Sequence, residues 1–174
     1  MNRVPLIRSA TPEDVSTLVD LVIELAVFEK ARDEVELDVE TLTGVLFGKD
    51  PSVFCDVAEI DGQIVGLSIW FTSYSTWTGT HGIYLEDLYV RPHARRSGVA
   101  SALIKTLARR AVERGWRRVE WSVLDWNIGA IELYESMGAS ALSEWTRYRL
   151  SGDALDELGN SAAGRGSKAA DARH

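Results

Sequence analysis

The sequence predicts a mixed α/β (α+β) domain in which helices flank a central, mainly antiparallel sheet. Three observations predict it. Two runs rich in β-branched and aromatic residues, VFCDVAEI and QIVGLSIWFT, flank Asp61-Gly62, a dipeptide favoured in tight antiparallel hairpins. Two long stretches, residues 15–28 and 99–114, carry apolar residues at three- and four-residue spacing, the period of a helix with one buried face. The elements so marked follow the order β, α, α, β, β, β, α, β, α, β, and such a mixture packs helices against a sheet.

Each element has its own local signal. VPLIRSA is a short first strand, and Thr11, Pro12, Glu13 and Asp14 then supply an N-cap hydroxyl, a proline at N1 and an acidic first turn. The first helix buries Val15, Leu18, Val19, Val22, Leu25, Ala26 and Phe28 as one stripe. After the charged connection EKARDEVE, a shorter helix begins at Asp38 with Leu42, Val45 and Leu46 facing inward. Strands follow at Val53 to Ile60 and Gln63 to Thr72, then the loop SYSTWTGTHG and the strand IYLEDLYV. The next helix, ASALIKTLARRAVERG, stops at Gly115, a residue suited to a C-cap. RRVEWSVL is a strand, DWNIGAIELYESMG a helix between Asn127 and Gly138, and SEWTRYRL a last strand. From Ser151 onward the chain is rich in Ser, Ala and Gly, with almost no aromatic or β-branched residues, and is expected as a solvated tail. The expected organisation is one domain over residues 4–150 and a flexible tail over 151–174.

Composition narrows the function. Nineteen Lys and Arg against 26 Asp and Glu give a formal charge of −7, which disfavours nucleic acid and steers cations inward. Cys55 is the only cysteine, so an intrachain disulfide is impossible, and the first residues lack the apolar core of a secretion signal. No apolar run approaches the roughly 18 residues of a membrane span. A cytoplasmic protein with no membrane partner is expected. His81 and His93 have no ligand spacing around them, so no metal is expected either. Arg109, Arg110, Arg114, Arg117 and Arg118 gather at a helix C-terminus, where the dipole favours cations.

One segment stands out: EDLYVRPHARRSGVASALI, from Glu86 to Ile104, in which a strand passes through two arginines and a glycine into a helix. A helix start offers unpaired N–H groups to an anion, Gly98 and Ala100 allow close approach, and Arg95 and Arg96 add charge. On spacing alone, a polar turn with solvated arginines explains the segment equally well. The rival phosphate motifs fail: GVLFGKD is one residue short of a P-loop and ends in Asp50, and no G-x-G-x-x-G follows a strand.

Arg95-x-x-Gly98-x-Ala100 between strand and helix resembles the R/Q-x-x-G-x-G/A signature of the GCN5-related N-acetyltransferases, and the resemblance extends over about residues 4–150. IRSATPED, ELAVFEK, STWTG, YLEDLYV and LDWN look like the diamine acetyltransferase subgroup, with STW and VLDWN nearest its thialysine branch. Ser75 stands where polyamine enzymes of the subgroup tend to carry an acid. The resemblance implies acetyl-CoA as co-substrate, a small cationic amine (thialysine, a lysine analogue or a polyamine) as acceptor, and a homodimer. It also implies that Arg95, Arg96, Ser97, Gly98, Val99, Ala100 and Ser101 wrap the pyrophosphate, that Leu88, Tyr89 and Val90 pair with the pantetheine, and that Asn127 serves the cofactor.

By the same resemblance Tyr134 protonates the departing thiolate and Glu86 takes the amine's proton, directly or through water. Without it, Tyr134 would be a core aromatic beside Ile131 and Met137. Phe28, Glu29, Trp77, Asp87 and Glu144 are the implied substrate contacts, Phe28 replacing the subgroup's usual tyrosine. Strict alternation would put Glu86 and Asp87 on opposite faces, so that only one of them meets the reacting centre. Cys55, mid-strand and far in sequence from any histidine, favours direct transfer over an acetyl-cysteine route. Two other functions share these features: acetylation of a protein lysine or N-terminus, and acyl-CoA binding without catalysis.

Overall fold

The computed structural model describes residues 4–166. The chain divides into two compact units, Met1–Leu133 and Tyr134–His174. The first holds β1 (Leu6–Ser9), α1 (Val15–Phe28), α2 (Val39–Phe47), β2 (Val53–Ile60), β3 (Gln63–Ser75), β4 (Thr80–Val90), α3 (Val99–Glu113) and β5 (Val119–Glu120). Helix α4 (Ile128–Ser136) runs across the division in sequence, and α5 (Asp153–Gly166) lies in the second unit.

The strands form one sheet in chain order, β1 to β5. The first four are mutually antiparallel, and β5 adds parallel to β4 through Ile83–Val119 and Tyr84–Glu120 alone. At the β2–β3 turn Asp61 and Gly62 both take positive φ, 52° and 75°, the backbone that a tight hairpin needs. One sheet face packs on α1 and α2 through Val15, Leu18, Leu21, Leu42 and Leu46 against Val57, Leu67, Ile69 and Tyr89. The other packs on α3 through Val99, Leu103 and Leu107. Each such buried aliphatic side chain contributes about 1.5–3 kcal/mol.

Local chemistry sets the helix ends. Thr11 donates to the Asp14 carboxylate from its N–H (2.8 Å) and its hydroxyl (3.0 Å), and Arg8 clasps the same carboxylate at 2.6 and 3.0 Å. These bonds, Arg8 first among them, hold the Asp14 carboxyl down at about 2. Asp38 caps α2 by accepting from the Thr41 N–H at 2.8 Å.

Several expectations change. The β3–β4 ladder continues through Tyr74–His81 and Ser75–Thr80, which shortens the expected loop to residues 76–79. Val45 is exposed, because Leu42 and Leu46, one turn apart, already fill the narrow stripe of α2. The strand expected at RRVEWSVL shrinks to Val119–Glu120. SEWTRYRL forms no strand: residues 143–150 are fully outside regular structure and exposed. Its apolar residues Trp145, Tyr148 and Leu150 fall three and then two apart, so no single face of a strand could bury them. Residues 153–166, expected as solvated tail, form α5, whose described side chains face solvent. Ala, Leu and Glu with two first-turn aspartates satisfy helix propensity and dipole together.

Candidate active site

The pairing of β3 with β4 is broken at one place. Ile69 opposes Asp87 and Trp70 opposes Leu85, so Glu86 is an extra residue without a ladder partner, a β-bulge. The bulge resets alternation. Leu85 lies with Trp70 in the core under α3, whereas Asp87 shares the register of Ile69, which lies with Tyr89 in the core under α1 and α2. Leu85 and Asp87, which would share a face in a regular strand, therefore lie on opposite faces across the unpaired Glu86.

Asp87 is half-buried and Glu86 exposed. Burial pushes the Asp87 carboxyl up to about 6, and the neighbouring charges of Glu86 and Glu29 push the same way. Glu29, which ends α1 as its C-cap, is itself raised by partial burial. Among the described residues no Lys or Arg forms an ion pair with Glu29, Glu86 or Asp87. Three acids from two elements thus make a locus with unmet demand for a cation.

Aromatic residues border it. Phe28, the last residue of α1, sits 5.5 Å from the Trp126 ring, and Trp126 also receives the Lys30 ammonium at 6.0 Å from its centroid. Sequence reasoning did not single out Trp126. The motif LDWN contained it, but its contact with Phe28 depends on the fold.

Beyond β4 the chain turns sharply into α3. Pro92–Ala94 forms a short 3₁₀ turn, Ser97 donates from its hydroxyl to Ala94 C=O at 2.6 Å, and Arg96 and Gly98 take positive φ of 60° and 84°. Gly98 is the N-cap of α3 and brings no side-chain acceptor; the helix bonds begin with Ala102 N–H to Gly98 C=O. The N–H groups of residues 99–101 consequently open outward at the positive end of a 15-residue helix, an anion cradle.

The arginines of this segment divide the work. Arg91, which the sequence did not mark as special, grips Glu24 of α1 at 2.9 to 3.2 Å and donates to Ile64 C=O. Arg95 donates from Nε to Val90 C=O at 2.9 Å, and its guanidinium lies over Phe28 (4.8 Å) and Tyr89 (5.7 Å). Arg96 is exposed beside the cradle.

β4 has a second opening. It pairs with β5 only at Ile83 and Tyr84, so from Leu85 to Val90 this edge has no strand beside it. An extended chain carrying amide groups could pair there by strand addition. Tyr89 is held inward with its phenol raised by burial, and Arg95 Nε already donates to the Val90 carbonyl at the end of the strand.

The remaining expected residues are placed as follows. Asn127 caps α4, accepting from Ala130 N–H at its side chain (3.4 Å) and at its carbonyl (3.1 Å). Trp77, at the β3–β4 hairpin tip, is 89% exposed. Tyr134 lies half-buried on α4 in the second unit, and Glu144 lies exposed in the same unit in a turn. Cys55 is buried, and burial with the charges of Asp56, Asp14 and Asp87 pushes its thiol far above the usual range, away from a nucleophilic thiolate.

The chain matches the acetyltransferase (GNAT) family over residues 16–139. It is 40% identical over 164 residues to the thialysine N-epsilon-acetyltransferase of Sus scrofa, a comparison that covers 88% of this chain and 96% of that protein. It is 41% identical over 98 residues to the L-ornithine N5-acetyltransferase NATA1 of Arabidopsis thaliana, covering 56% of this chain and 43% of that one. Among solved structures, an integron cassette protein from the mobile metagenome of V. cholerae has a TM-score of 0.75 at 24% identity, covering 89% of this chain and 97% of that chain, a likeness of fold. The family match spans α1 to α4 and so includes the bulged strand, the cradle and the open edge between them; the chain belongs to the acetyltransferase (GNAT) family and is an N-acetyltransferase.

Proposed function

We propose that this chain acetylates the terminal amine of a small cationic metabolite, with thialysine or a related lysine analogue as the favoured acceptor and polyamines as weaker ones. The observation that carries the reading is the unpaired acidic locus of Glu29, at the end of α1, with Glu86 and Asp87 on the strand that leads into the anion cradle. The relatives named above, an acetyltransferase of thialysine and one of ornithine, support a short amino acid with a distal amine.

The residues present suit acetyl-CoA. The loop from Arg95 to Ser101, with its N–H cradle at the start of α3 and Arg96 beside that cradle, would hold the pyrophosphate, Leu88 to Val90 would pair along the pantetheine, and Asn127 would complete that wall. Bound there, acetyl-CoA supplies an acetyl thioester open to attack by a neutral amine. The protein's task is proton handling. An amine with pKa near 10 arrives as an ammonium, which the three carboxylates attract, while Phe28 and Trp126 flank its alkyl chain. Glu86, exposed at the bulge, receives the amine proton directly or through water, which leaves nitrogen its lone pair. The Tyr134 phenol donates a proton to the sulfur. Transfer is direct, as Cys55 is ill suited to carry an acetyl group.

The protein works in the cytoplasm as a homodimer, with Trp77 and Glu144 meeting the acceptor. CoA-thiol release measured over thialysine, lysine, ornithine, putrescine, spermidine, spermine and a basic peptide tests the reading. Thialysine giving the highest kcat/KM supports it; peptide-only turnover would make the protein a protein acetyltransferase, and binding without turnover an acyl-CoA-binding module.

A further inference from the structure

A second concavity opens at the C-terminal end of α3, built from residues that the acetyl-transfer site does not use. It encloses about 170 Å³ among the end of β1, the end of α2, the start of β2, the middle of β3 and the C-terminal end of α3. Phe47, Phe54 and Trp70 form its apolar walls, and Asp56, Arg110 and Arg114 bring its charges. At about 30 Å³ per water, the volume is that of about six waters, room for a compact organic molecule.

The polar part is preorganised. Asp56 is 1% exposed and is held by Arg110 at 2.6 and 2.8 Å and by the Trp70 indole N–H at 3.0 Å. Ser9 Oγ lies 3.4 Å from the same carboxylate. The Arg110 guanidinium also stacks over the Trp70 ring at 4.8 Å, which fixes its plane. Asp56 accepts from two of its five N–H groups, one on each terminal nitrogen, and the side chain keeps 20% exposure for the others. Arg114 stands one helical turn further along the same helix and also lines the cavity, its guanidinium over Trp116 at 4.8 Å. Among the described residues no carboxylate pairs with it. Two guanidinium groups against one carboxylate leave the walls with one net positive charge, on a protein whose formal charge is −7.

We propose that this cavity binds a small monocarboxylate with a flat apolar body, of which benzoate is the model. Its carboxylate meets the free N–H groups of Arg110 and Arg114, and its ring lies against Phe47 and Phe54. A cation is repelled by the net charge. A bare inorganic anion would leave the aromatic walls wet, so the apolar body is part of the recognition.

Isothermal titration calorimetry on the full chain tests this with benzoate, butyrate and inorganic phosphate, each with and without saturating CoA. One saturable benzoate per chain, bound equally in the presence of CoA and more tightly than phosphate, is expected. Arg114→Gln weakens benzoate by about tenfold, the loss of one charge-assisted contact, and leaves CoA affinity unchanged as the sign of an intact fold. Phe47→Ala weakens benzoate and leaves phosphate unaffected. Displacement of benzoate by CoA, equal binding by wild type and Arg114→Gln, phosphate binding as tightly as benzoate, or no saturable binding at all would each overturn the proposal. Since binding is read directly, failure here is separable from failure of the acetyl-transfer reading, which is judged by turnover.

Discussion

Replacing Asp87 by Asn should stabilise this protein while impairing it, and the size of the effect follows from its carboxyl. In the fold that group stands at about 6, against 3.8 for an ordinary aspartate, because burial and the charges of Glu86 and Glu29 disfavour its ionised form. Between those two values the folded state binds more protons than the unfolded chain, so stability falls as pH rises from about 4 to about 6 and then stays level. The gap, at about 1.4 kcal/mol per pH unit, corresponds to about 3 kcal/mol of destabilisation at pH 7. Water reaching the open side of a half-buried carboxylate lowers the effective figure to about 1–3 kcal/mol.

Asn keeps the shape and cannot ionise. Urea denaturation of both proteins at pH 4, 5, 6, 7 and 8 should therefore show near equality at pH 4 and a lead for Asp87→Asn that grows to its full size by about pH 7. The m-value should not change, as the buried surface is the same. A difference flat with pH, or a variant less stable than wild type at pH 8, would refute the argument that an unmet acidic locus is held at the bulge. On the proposed function the same substitution should also raise the KM for a cationic amine, since it removes one of the three carboxylates of the acidic locus.

Asp14 should behave with the opposite sign. Its carboxyl is held at about 2 by Arg8 and Thr11, so Asp14→Asn should cost about 2 kcal/mol at pH 7 in urea titrations, a difference that shrinks as pH falls from 4 through 2. Gly98→Ala forces a Cβ onto a residue at φ 84° and should cost about 1–2 kcal/mol of stability, with CoA affinity falling at least about tenfold in equilibrium binding. Tyr134→Phe should lower kcat by about 10²-fold or more while leaving the Kd for CoA unchanged; full kcat across pH would remove the phenol from the proton-transfer role.

What the sequence could convey was local. Asp61-Gly62, the Asp38 cap and Gly138 after α4, at φ 88°, are each decided by one or two residues and lie where the pattern put them, whereas Pro12 opens a 3₁₀ turn, Pro12–Asp14, that precedes α1. The Gly98 turn was legible for the same reason. The bulge at Glu86 was not, because it is a register event between two strands, and neither YLEDLYV nor IVGLSIWF alone says which residue will be left without a partner. The alternation rule therefore missed that Leu85 and Asp87, two residues apart, face opposite sides of the sheet. SEWTRYRL misled differently: its aromatics have strand propensity, but propensity without a two-residue period gives no face to bury.

The division of labour among the arginines changes how the two ends of the site relate. If Arg91, Arg95 and Arg96 all served an anion, cofactor recognition would rest on three flexible cations at the surface. Instead Arg91 is committed to Glu24 on α1, and Arg95 is bonded to Val90 C=O and stacked on Phe28 and Tyr89. Both tie the loop to the helix that ends in Glu29. On the proposed reading, anion binding is left to backbone N–H groups and Arg96, the backbone groups being set by the αL turns at Arg96 and Gly98. The stacking of Arg95 on Phe28 then makes a packed connection from the turn before α3 to the end of α1, next to Glu29. One backbone segment, from the bulge at Glu86 through the end of β4 at Val90 to the start of α3 at Val99, joins the acidic locus to the turn before α3.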